Sequence, residues 1–325
     1  MRRERIVSVG AGRMGRGMAI AFAYAGHEVV LIDAKPRDAQ GFTALKSDAD
    51  TEVRKTFTML AGFGMLEPND VDTMASRITT VSLDDCAGPL AAADVIFEGV
   101  PEVLDAKRDA FALICEHARK DAIIASTTST ILSNDLQGFV TQPERFLNAH
   151  WLNPAFLVPL VELSPGDLTD PETTTRLKTL LENIGKVPVV CAASPGYIVP
   201  RIQMLAMNEA ARMVEEGVAS PEDMDKATKY GFGFRFAILG LLEFIDWGGG
   251  DILFHASNYM RSATGEDRFD APQIVKDNMA QGRNGLRDGK GFLDYENMDV
   301  PRYQQERLGA FVAMLAHLGK MPPKG

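Results

Sequence analysis

The sequence predicts an α/β protein in which a doubly wound, mainly parallel sheet is followed by a domain built only of helices. Short apolar segments alternate with helical segments over residues 1–193, as in a parallel sheet covered on both faces. A glycine-rich turn joins the first strand to the first helix. Strand signals are almost absent over residues 194–325. Because 325 residues exceed one typical domain, we predict two domains with a boundary near residue 193.

The first strand and helix carry a dinucleotide-binding pattern. The apolar residues 6–9 run into Gly-x-Gly-x-x-Gly, and a helical segment follows without a break. The first glycine permits a sharp turn, the second lets backbone approach a pyrophosphate, and the third lets the helix lie close to the sheet. This order predicts a Rossmann-type domain. The predicted contacts of the cofactor in this turn are Gly10, Gly12, Arg13, Met14 and Gly15.

An acidic residue after the second strand indicates which dinucleotide is bound. The apolar residues 29–32 end at Asp33, eighteen residues past Gly15. A carboxylate at this place accepts hydrogen bonds from a ribose 2′-hydroxyl and repels a 2′-phosphate, so the sequence favours NAD over NADP. Arg37 is the one nearby residue that could weaken this preference.

The other elements follow in an alternating order. Two helices broken by Gly62 and Gly64 are predicted as an insertion over residues 40–75. The later strands are predicted at residues 78–81, 95–97, 123–125, 146–151, 158–163 and 187–190, with helices at 104–120 and 171–184. In the second domain, one helix carries Ile202 and Leu205, another begins at Ser220-Pro221 with a hydroxyl cap, and a third follows Gly240.

Composition excludes several classes of protein. The hydrophobic fraction of 46% suits an enzyme with a real core, and the net charge of −10 argues against a nucleic-acid partner. No window offers the roughly 20 apolar residues of a membrane helix, so we expect no membrane partner. Cys86, Cys115 and Cys191 are dispersed without metal-ligand spacing. They indicate reduced thiols in a cytoplasmic protein without a metal site.

Two ionisable residues lie on or beside predicted strands of the first domain. His150 is at the end of the strand over residues 146–151, and Glu162 follows twelve residues later. A neutral imidazole is suited to remove the hydroxyl proton of an alcohol that loses hydride, and a carboxylate on its other nitrogen would orient the ring. Spacing alone leaves a structural histidine at a strand end as an equal alternative.

A family resemblance favours the catalytic alternative. The segment His150-Trp151-Leu152-Asn153-Pro154 resembles the signature of the 3-hydroxyacyl-CoA dehydrogenase superfamily, which also contains L-gulonate 3-dehydrogenase (lambda-crystallin) and L-carnitine dehydrogenase branches. Further similar segments span nearly the whole chain in the expected order. They are the glycine turn, Val100-Pro101-Glu102, Lys107, Ser126-Thr127-Thr128-Ser129, Ser194-Pro195-Gly196-Tyr197 and the segment over residues 285–292.

The resemblance implies roles for individual residues. His150 would be the general base, Glu162 its orienting partner, and Ser129 a hydrogen-bond donor to the reacting oxygen. The implied cofactor contacts are Asp33, Glu102, Lys107, Asn153 and Arg287. Alternatives remain open: Lys107 as a solvated helix residue, residues 126–130 as a polar turn, and Arg287 without a cofactor contact.

Three departures from the family bear on the substrate. Pro200 stands where the family usually has an asparagine near the substrate carbonyl, which leaves Gln203 as a replacement donor. The inserted helices carry few cations, mainly Lys46, Arg54 and Lys55, whereas the acyl-CoA enzymes use this hairpin to bind CoA phosphates. Arg235 resembles an arginine of the gulonate and carnitine branches and could grip a free carboxylate. Its alternative is a role in an ion pair.

We therefore expect an NAD-dependent 3-hydroxyacyl dehydrogenase that oxidises the C3 alcohol of a substrate such as 3-hydroxybutyryl-CoA. Its rivals are a dehydrogenase of a free 3-hydroxy acid, an enzyme with a catalytic lysine of the 3-hydroxyisobutyrate type, and a non-catalytic NAD-binding protein. The resemblance also implies a homodimer, a helical substrate and dimerisation domain over residues 194–325, and a place in fatty acid metabolism.

Overall fold

A computed structural model describes residues 3–323. Within that range, eight strands form one sheet in the order β3-β2-β1-β4-β5-β6-β7-β8. All neighbouring strands are parallel except β6 and β7, which run antiparallel. The predicted doubly wound, mainly parallel sheet is confirmed. The strands are β1 (Ile6–Val9), β2 (Val29–Ile32), β3 (Ile78–Val81), β4 (Val95–Glu98), β5 (Ile123–Ser126), β6 (Phe146–Trp151), β7 (Leu160–Pro165) and β8 (Val187–Val190).

Helices separate the strands except between β6 and β7, and the part of the chain after β8 is helical, as predicted. The α-helices are α1 (Arg13–Tyr24), α2 (Ala39–Gly62), α3 (Val71–Ala75), α4 (Ala87–Ala92), α5 (Leu104–His117), α6 (Ser133–Leu136), α7 (Pro171–Asn183), α8 (Val199–Glu215), α9 (Pro221–Ala227), α10 (Phe234–Phe236), α11 (Leu241–Gly248), α12 (Gly250–Thr264), α13 (Gln273–Ala280) and α14 (Val300–His317). Short 3-10 helices lie at Pro68–Asp70, Gln137–Phe139, Pro143–Arg145, Asp267–Phe269 and Leu286–Asp288, and a π-helical turn at Thr228–Gly233.

The chain divides into two compact units, the first ending at Ala206 and the second beginning at Met207. The predicted boundary near residue 193, where the strand pattern stops, stays a prediction. No helix within residues 3–323 is both long enough and apolar enough to cross a membrane.

The two faces of the sheet have separate cores. One buries Phe22 of α1 with Phe97 and Trp151 of the sheet, at ring separations of 5.5 to 6.0 Å, and α2 adds Phe57 to it. The other buries Phe111 of α5 against Phe146 at 5.4 Å. Since side chains alternate along a strand, β6 presents one set of residues to the first core and the other set to the opposite face. That alternation decides where His150 lies.

The second unit contains a buried carboxylate of its own. Asp246 of α11 accepts hydrogen bonds from the backbone N–H groups of Phe292 and Leu293, and from the Tyr295 hydroxyl. A Cβ atom at Gly291 would collide with the Asp246 carboxylate. The glycine-rich segment over residues 285–292 therefore wraps around Asp246, which accounts for Gly285 and Gly291, where a Cβ atom would collide with that residue.

Strand β7 begins two residues later than predicted. The sequence predicts a strand over residues 158–163, whereas β7 covers Leu160–Pro165. Pro159 has no N–H group for the sheet, and the Val158 carbonyl accepts a hydrogen bond from Lys186 at 2.8 Å. The ladder consequently starts only after both residues.

Lys186 holds the loop between β6 and β7 from inside the protein. Its ammonium donates to the Ala155 carbonyl at 2.6 Å and the Val158 carbonyl at 2.8 Å, and lies 5.4 Å from the centre of the Trp151 ring. Burial lowers the pKa of Lys186 to about 8. The lysine therefore fixes the loop that follows His150 and Asn153.

Replacing Lys186 by methionine keeps most of the apolar stem and removes the donor. Two buried carbonyls then lose their partner, so the free energy of unfolding should fall by about 1–3 kcal/mol in urea denaturation at pH 7. Lys178→Met is the matched control, because Lys178 lies on the exposed side of α7 and, within residues 3–323, pairs only with Glu182. It should change the stability by less than about 0.5 kcal/mol.

The pH dependence of the unfolding free energy is a second measure of the contact between Lys186 and the loop. Between pH 8 and the ordinary lysine pKa of about 10.4, the unfolded chain binds more protons at this residue than the folded chain. The unfolding free energy of the wild type should therefore rise through that window relative to Lys186→Met. Parallel pH curves for the two proteins would contradict the assignment.

Candidate active site

His150 and Glu162 face each other across the one antiparallel pair of the sheet. They are register partners in β6 and β7, and His150 Nδ1 lies 2.8 Å from Glu162 Oε2. Directly opposed residues of an antiparallel pair project from the same face at close range. Both side chains are buried, with Glu162 fully so. The structure thus brings together the two residues that the sequence singles out for acid–base chemistry.

The hydrogen bonds of Glu162 define the state of the imidazole. Glu162 Oε1 accepts the backbone N–H groups of Ile198 and Val199 at 2.9 and 2.8 Å. Because an ionised carboxylate has no proton to donate, we assign His150 Nδ1 as the donor in the contact with Oε2. The lone pair of neutral His150 is then on Nε2, the nitrogen on the far side of the ring.

Tyr197 lies flat against His150. The two ring centres are 4.9 Å apart and the ring planes differ by 1°. The Tyr197 hydroxyl donates to the Thr128 carbonyl at 2.9 Å and accepts from Asn148 Nδ2 at 3.0 Å. In the sequence Tyr197 is only a matched position of the Ser-Pro-Gly-Tyr motif, and no pattern there predicts this contact, because the stacking partners are 47 residues apart.

A second buried network lies at the carboxyl ends of β4 and β5. Glu98 closes β4 and is fully buried, and it accepts Lys107 Nζ at 3.0 Å and the Ser126 hydroxyl at 2.6 Å. Lys107 also lies 3.3 Å from Glu102. Lys107 is therefore a buried ion-pair residue and not a solvated one. Glu98 was no predicted site residue, although an acid at the end of an apolar strand is the signal that could have indicated it.

Glu102 holds the hydroxyl-rich loop after β5. Its Oε1 accepts the Thr128 hydroxyl at 2.5 Å, the Thr130 hydroxyl at 3.0 Å, and the backbone N–H groups of Ser129 and Thr130. Burial raises the pKa of Glu102, but the Thr128 hydrogen bond and the Lys107 charge outweigh it, and the net pKa is lowered. This anchoring leaves Ser129 exposed.

The glycine turn is shaped to receive the phosphates of a dinucleotide. Gly10 has φ +123°, and a Cβ atom there would lie 2.6 Å from the Gly99 carbonyl oxygen, while one at Gly15 would collide with the Gly10 carbonyl. At Gly12 the space is open within 4 Å. Gly12 is also the N-cap of α1, whose first N–H groups have no partner inside the helix. Backbone donors beside open space fit a pyrophosphate.

The acid that the sequence predicts for the adenosine ribose, Asp33, is paired with an arginine. Asp33 follows β2 directly and is buried, and its Oδ2 accepts Arg37 Nε at 2.5 Å. Asp33 Oδ1 accepts only the Lys35 N–H at 3.4 Å within residues 3–323. One carboxylate oxygen thus stays available for a ribose hydroxyl, while Arg37 neutralises the charge.

Of the other predicted positions, Arg13, Asn153, Gln203 and Arg287 are exposed, whereas Met14 and Pro200 are half-buried. Asn153 follows β6 and is joined to Pro154 by a cis peptide bond. Pro200 is the second residue of α8, where its missing N–H is not needed, and Gln203 is exposed one turn later. Arg287 belongs to the second unit, where it pairs with Asp251 at 2.8 Å.

Arg235 lies in α10 of the second unit. Its Nε donates to the Gly231 carbonyl at 3.2 Å, and its guanidinium lies 5.1 Å from the centre of the Phe244 ring. Within the described residues no carboxylate pairs with it. The ion-pair alternative is therefore absent from that part of the chain.

The dinucleotide-binding turn, the acid after β2 and the sheet with its helical second unit define an NAD-dependent oxidoreductase that acts on CH–OH groups. Residues 5–194 match the family model described as 3-hydroxyacyl-CoA dehydrogenase, NAD binding domain, and residues 196–295 match the model of its C-terminal domain. The chain belongs to the 3-hydroxyacyl-CoA dehydrogenase family, and its cofactor is NAD.

Individual relatives match along most of the chain. A 5-formyl-3-hydroxy-2-methylpyridine 4-carboxylate 5-dehydrogenase from Mesorhizobium japonicum is 31% identical over 96% of this chain and 97% of the relative. A lambda-crystallin homolog from Bos taurus is 34% identical over 78% of this chain and 77% of the relative. The solved 3-hydroxyacyl-CoA dehydrogenase of Archaeoglobus fulgidus has a TM-score of 0.77 at 28% identity and covers 98% of this chain and 100% of that one.

Glu98→Gln should destabilise the protein strongly. It leaves the fully buried Lys107 ammonium with only the partly exposed Glu102 as a counterion, so the free energy of unfolding should fall by about 3 kcal/mol in chemical denaturation. Asp105→Asn is the control, because Asp105 is an exposed partner of Arg108 on the same helix α5. Equal, small effects of both variants would show that the Glu98–Lys107 pair is not needed.

Proposed function

We propose that this chain oxidises the C3 alcohol of a 3-hydroxyacyl substrate with His150 as the general base. The observation that carries the proposal is the His150–Glu162 contact, which occupies Nδ1 and leaves Nε2 as the basic nitrogen. Bound NAD supplies the hydride acceptor. His150 takes the hydroxyl proton on Nε2, and Glu162 stabilises the imidazolium that forms. Proton and hydride leave the substrate together, so the alcohol becomes a ketone.

We assign supporting roles to the neighbouring polar residues. Ser129 is exposed beside an anchored loop and would donate a hydrogen bond to the reacting oxygen. The glycine turn and Asp33 would hold the pyrophosphate and the adenosine ribose. Contacts of Glu102, Lys107, Asn153 and Arg287 with the cofactor remain predictions, as do the homodimer, the cytoplasmic location, a place in fatty acid metabolism and the substrate role of the helical domain.

A free 3-hydroxy acid is the second candidate substrate, and the charge of α2 favours it. Three cations on this helix are balanced by three carboxylates on the same helix. Lys46 pairs with Asp50, and Arg54 pairs with Asp72 of α3. Lys55 is the only cation of α2 without an ion-pair partner in the described residues. This helix therefore offers little net charge to the phosphates of CoA.

The Arg235 guanidinium, which pairs with no carboxylate within residues 3–323, supports the same candidate. A free acid has a carboxylate that can accept two hydrogen bonds from one arginine, whereas a thioester has none. The relative from Mesorhizobium japonicum is named for a pyridine carboxylate, which is also a small acid. A non-catalytic NAD-binding protein is less well supported, because His150, Glu162 and Ser129 are all retained.

His150→Ala should reduce kcat by roughly a thousandfold, because no other base replaces Nε2. NADH binding, followed by fluorescence, should remain within about twofold of the wild type, since the glycine turn and Asp33 are unchanged. His255→Ala on the exposed side of α12 is the matched control and should keep full activity. Wild-type turnover by His150→Ala would show that another residue is the base.

The substrate class is tested by comparing NADH production from 3-hydroxybutyryl-CoA with that from free acids, including 3-hydroxybutyrate, gulonate, carnitine and the pyridine aldehyde of the Mesorhizobium relative. If the substrate is a free acid, Arg235→Ala should raise its KM roughly tenfold or more, because a charge-assisted pair is lost. The CoA thioester should be unaffected. Arg302→Ala, at an exposed arginine of α14, is the control. Equal effects on both substrate classes would reject a carboxylate contact.

A further inference from the structure

We propose that Tyr197 is a positioning residue for the base, holding the His150 ring in its plane and stabilising it once it is protonated. The proposal rests on the proposed function of His150. The proposed mechanism itself gives the Tyr197 side chain no role.

The tyrosine ring is fixed at both of its ends. At the hydroxyl end, it donates to the Thr128 carbonyl and accepts from Asn148. Asn148 lies on β6, two residues before His150 and on the same face of the strand. The phenol therefore takes its position from the strand that carries the base and from the loop that carries Ser129.

At its backbone end, Tyr197 fixes the position of Glu162, the partner of the base. Tyr197 has φ +45°, a left-handed conformation that is costly for a residue with a Cβ atom and persists where the surroundings enforce it. This turn directs the next two backbone N–H groups, those of Ile198 and Val199, onto Glu162 Oε1. One turn thus sets the tyrosine face against His150 and fixes the carboxylate that orients His150.

The stacked geometry has a chemical consequence. Parallel rings 4.9 Å apart place the imidazole over the negative face of the phenol. When His150 takes the substrate proton, the positive charge forms between the Glu162 carboxylate and this π face. A cation over an aromatic face is stabilised, most of all where water is excluded, and both rings are buried here. The tyrosine therefore favours the protonated base.

Other titrating groups near the pair do not obscure this effect. Burial, with the Glu162 charge, raises the pKa of the Cys191 thiol beyond β8, and burial raises the pKa of the Tyr197 phenol. Burial raises the pKa of Glu102 too, but its Thr128 hydrogen bond and Lys107 outweigh that and leave it lowered. These shifts move the pKa values of all three groups away from neutral pH, so their titrations do not overlap the acidic limb of the rate.

Two substitutions separate the effect of the Tyr197 hydroxyl from the effect of its aromatic ring. Tyr197→Phe keeps the stack and loses the bonds to Thr128 and Asn148, so kcat should fall severalfold while the acidic limb of kcat/KM against pH stays in place. Tyr197→Leu also loses the π face, so the limb should move to lower pH by roughly half a unit. Tyr259, an exposed residue of α12, gives the matched pair Tyr259→Phe and Tyr259→Leu, which should change neither quantity.

A direct titration distinguishes this inference from the proposed function. The His150 ring proton, assigned by its absence in His150→Gln, is followed by NMR against pH in the wild type and both Tyr197 variants without substrate. A lower midpoint in Tyr197→Leu alone supports the stack even if His150→Ala proves active. An unchanged midpoint and an unchanged limb in a folded Tyr197→Leu overturn the proposal.

If Tyr197→Leu does not fold, a further variant tests the same role of the aromatic ring. Pentafluorophenylalanine at position 197 has nearly the size of phenylalanine, but its ring face is no longer negative. Compared with Tyr197→Phe, it should lower the His150 midpoint. Equal midpoints for these two rings would reject the electrostatic role of the stack.

Discussion

The antiparallel register of β6 and β7 is the constraint on which the site depends. The rest of the sheet is parallel, and a parallel neighbour would have needed a long crossover to bring a second side chain beside His150. Reversal of the chain places Glu162 directly opposite within twelve residues. A slip of one residue would turn every side chain of β7 to the other face. Leu163 would then face His150, and Glu162 would lie in the apolar core.

From this pair, polar contacts spread along one edge of the sheet. Glu162 holds the turn before α8, Tyr197 in that turn holds Thr128, and Thr128 bonds Glu102. Glu102 then reaches Lys107 and through it Glu98. A buried polar group is stable only when a neighbour forms a hydrogen bond or ion pair with it. The residues of this series of contacts therefore depend on one another. Their substitutions should not have additive effects.

Much of the fold could be predicted from the sequence, because its signals are local. The strands of residues 6–9, 29–32 and 146–151 have the predicted bounds, and Ser220 caps α9 as its sequence indicates. The antiparallel β6–β7 pair gives no comparable signal, since apolar runs carry no direction. The late start of β7 depends on Lys186, a residue nearly thirty positions away.

The site could be predicted only in part. The sequence and its family resemblance picked out His150 with Glu162 as its orienting partner, and the contact is present. The resemblance also picked out Glu102, but not the residues that Glu102 contacts. The stack of Tyr197 on His150 and the burial of Lys107 between two acids arise from chain crossings that no periodicity records. Glu98 gives only a weak signal, an acid at the end of an apolar strand, and the sequence does not show that Lys107 pairs with it.

The Asp33–Arg37 pair has a consequence for how the cofactor preference of this fold could change. The Arg37 guanidinium lies 2.5 Å from Asp33, the acid that we propose binds the ribose. Without the Asp33 carboxylate, Arg37 would remain and could pair with the phosphate of a phosphorylated ribose. If Asp33 binds the ribose as we propose, discrimination between the two nicotinamide cofactors would depend on this one acidic group, and a single substitution would shift the preference toward the phosphorylated cofactor.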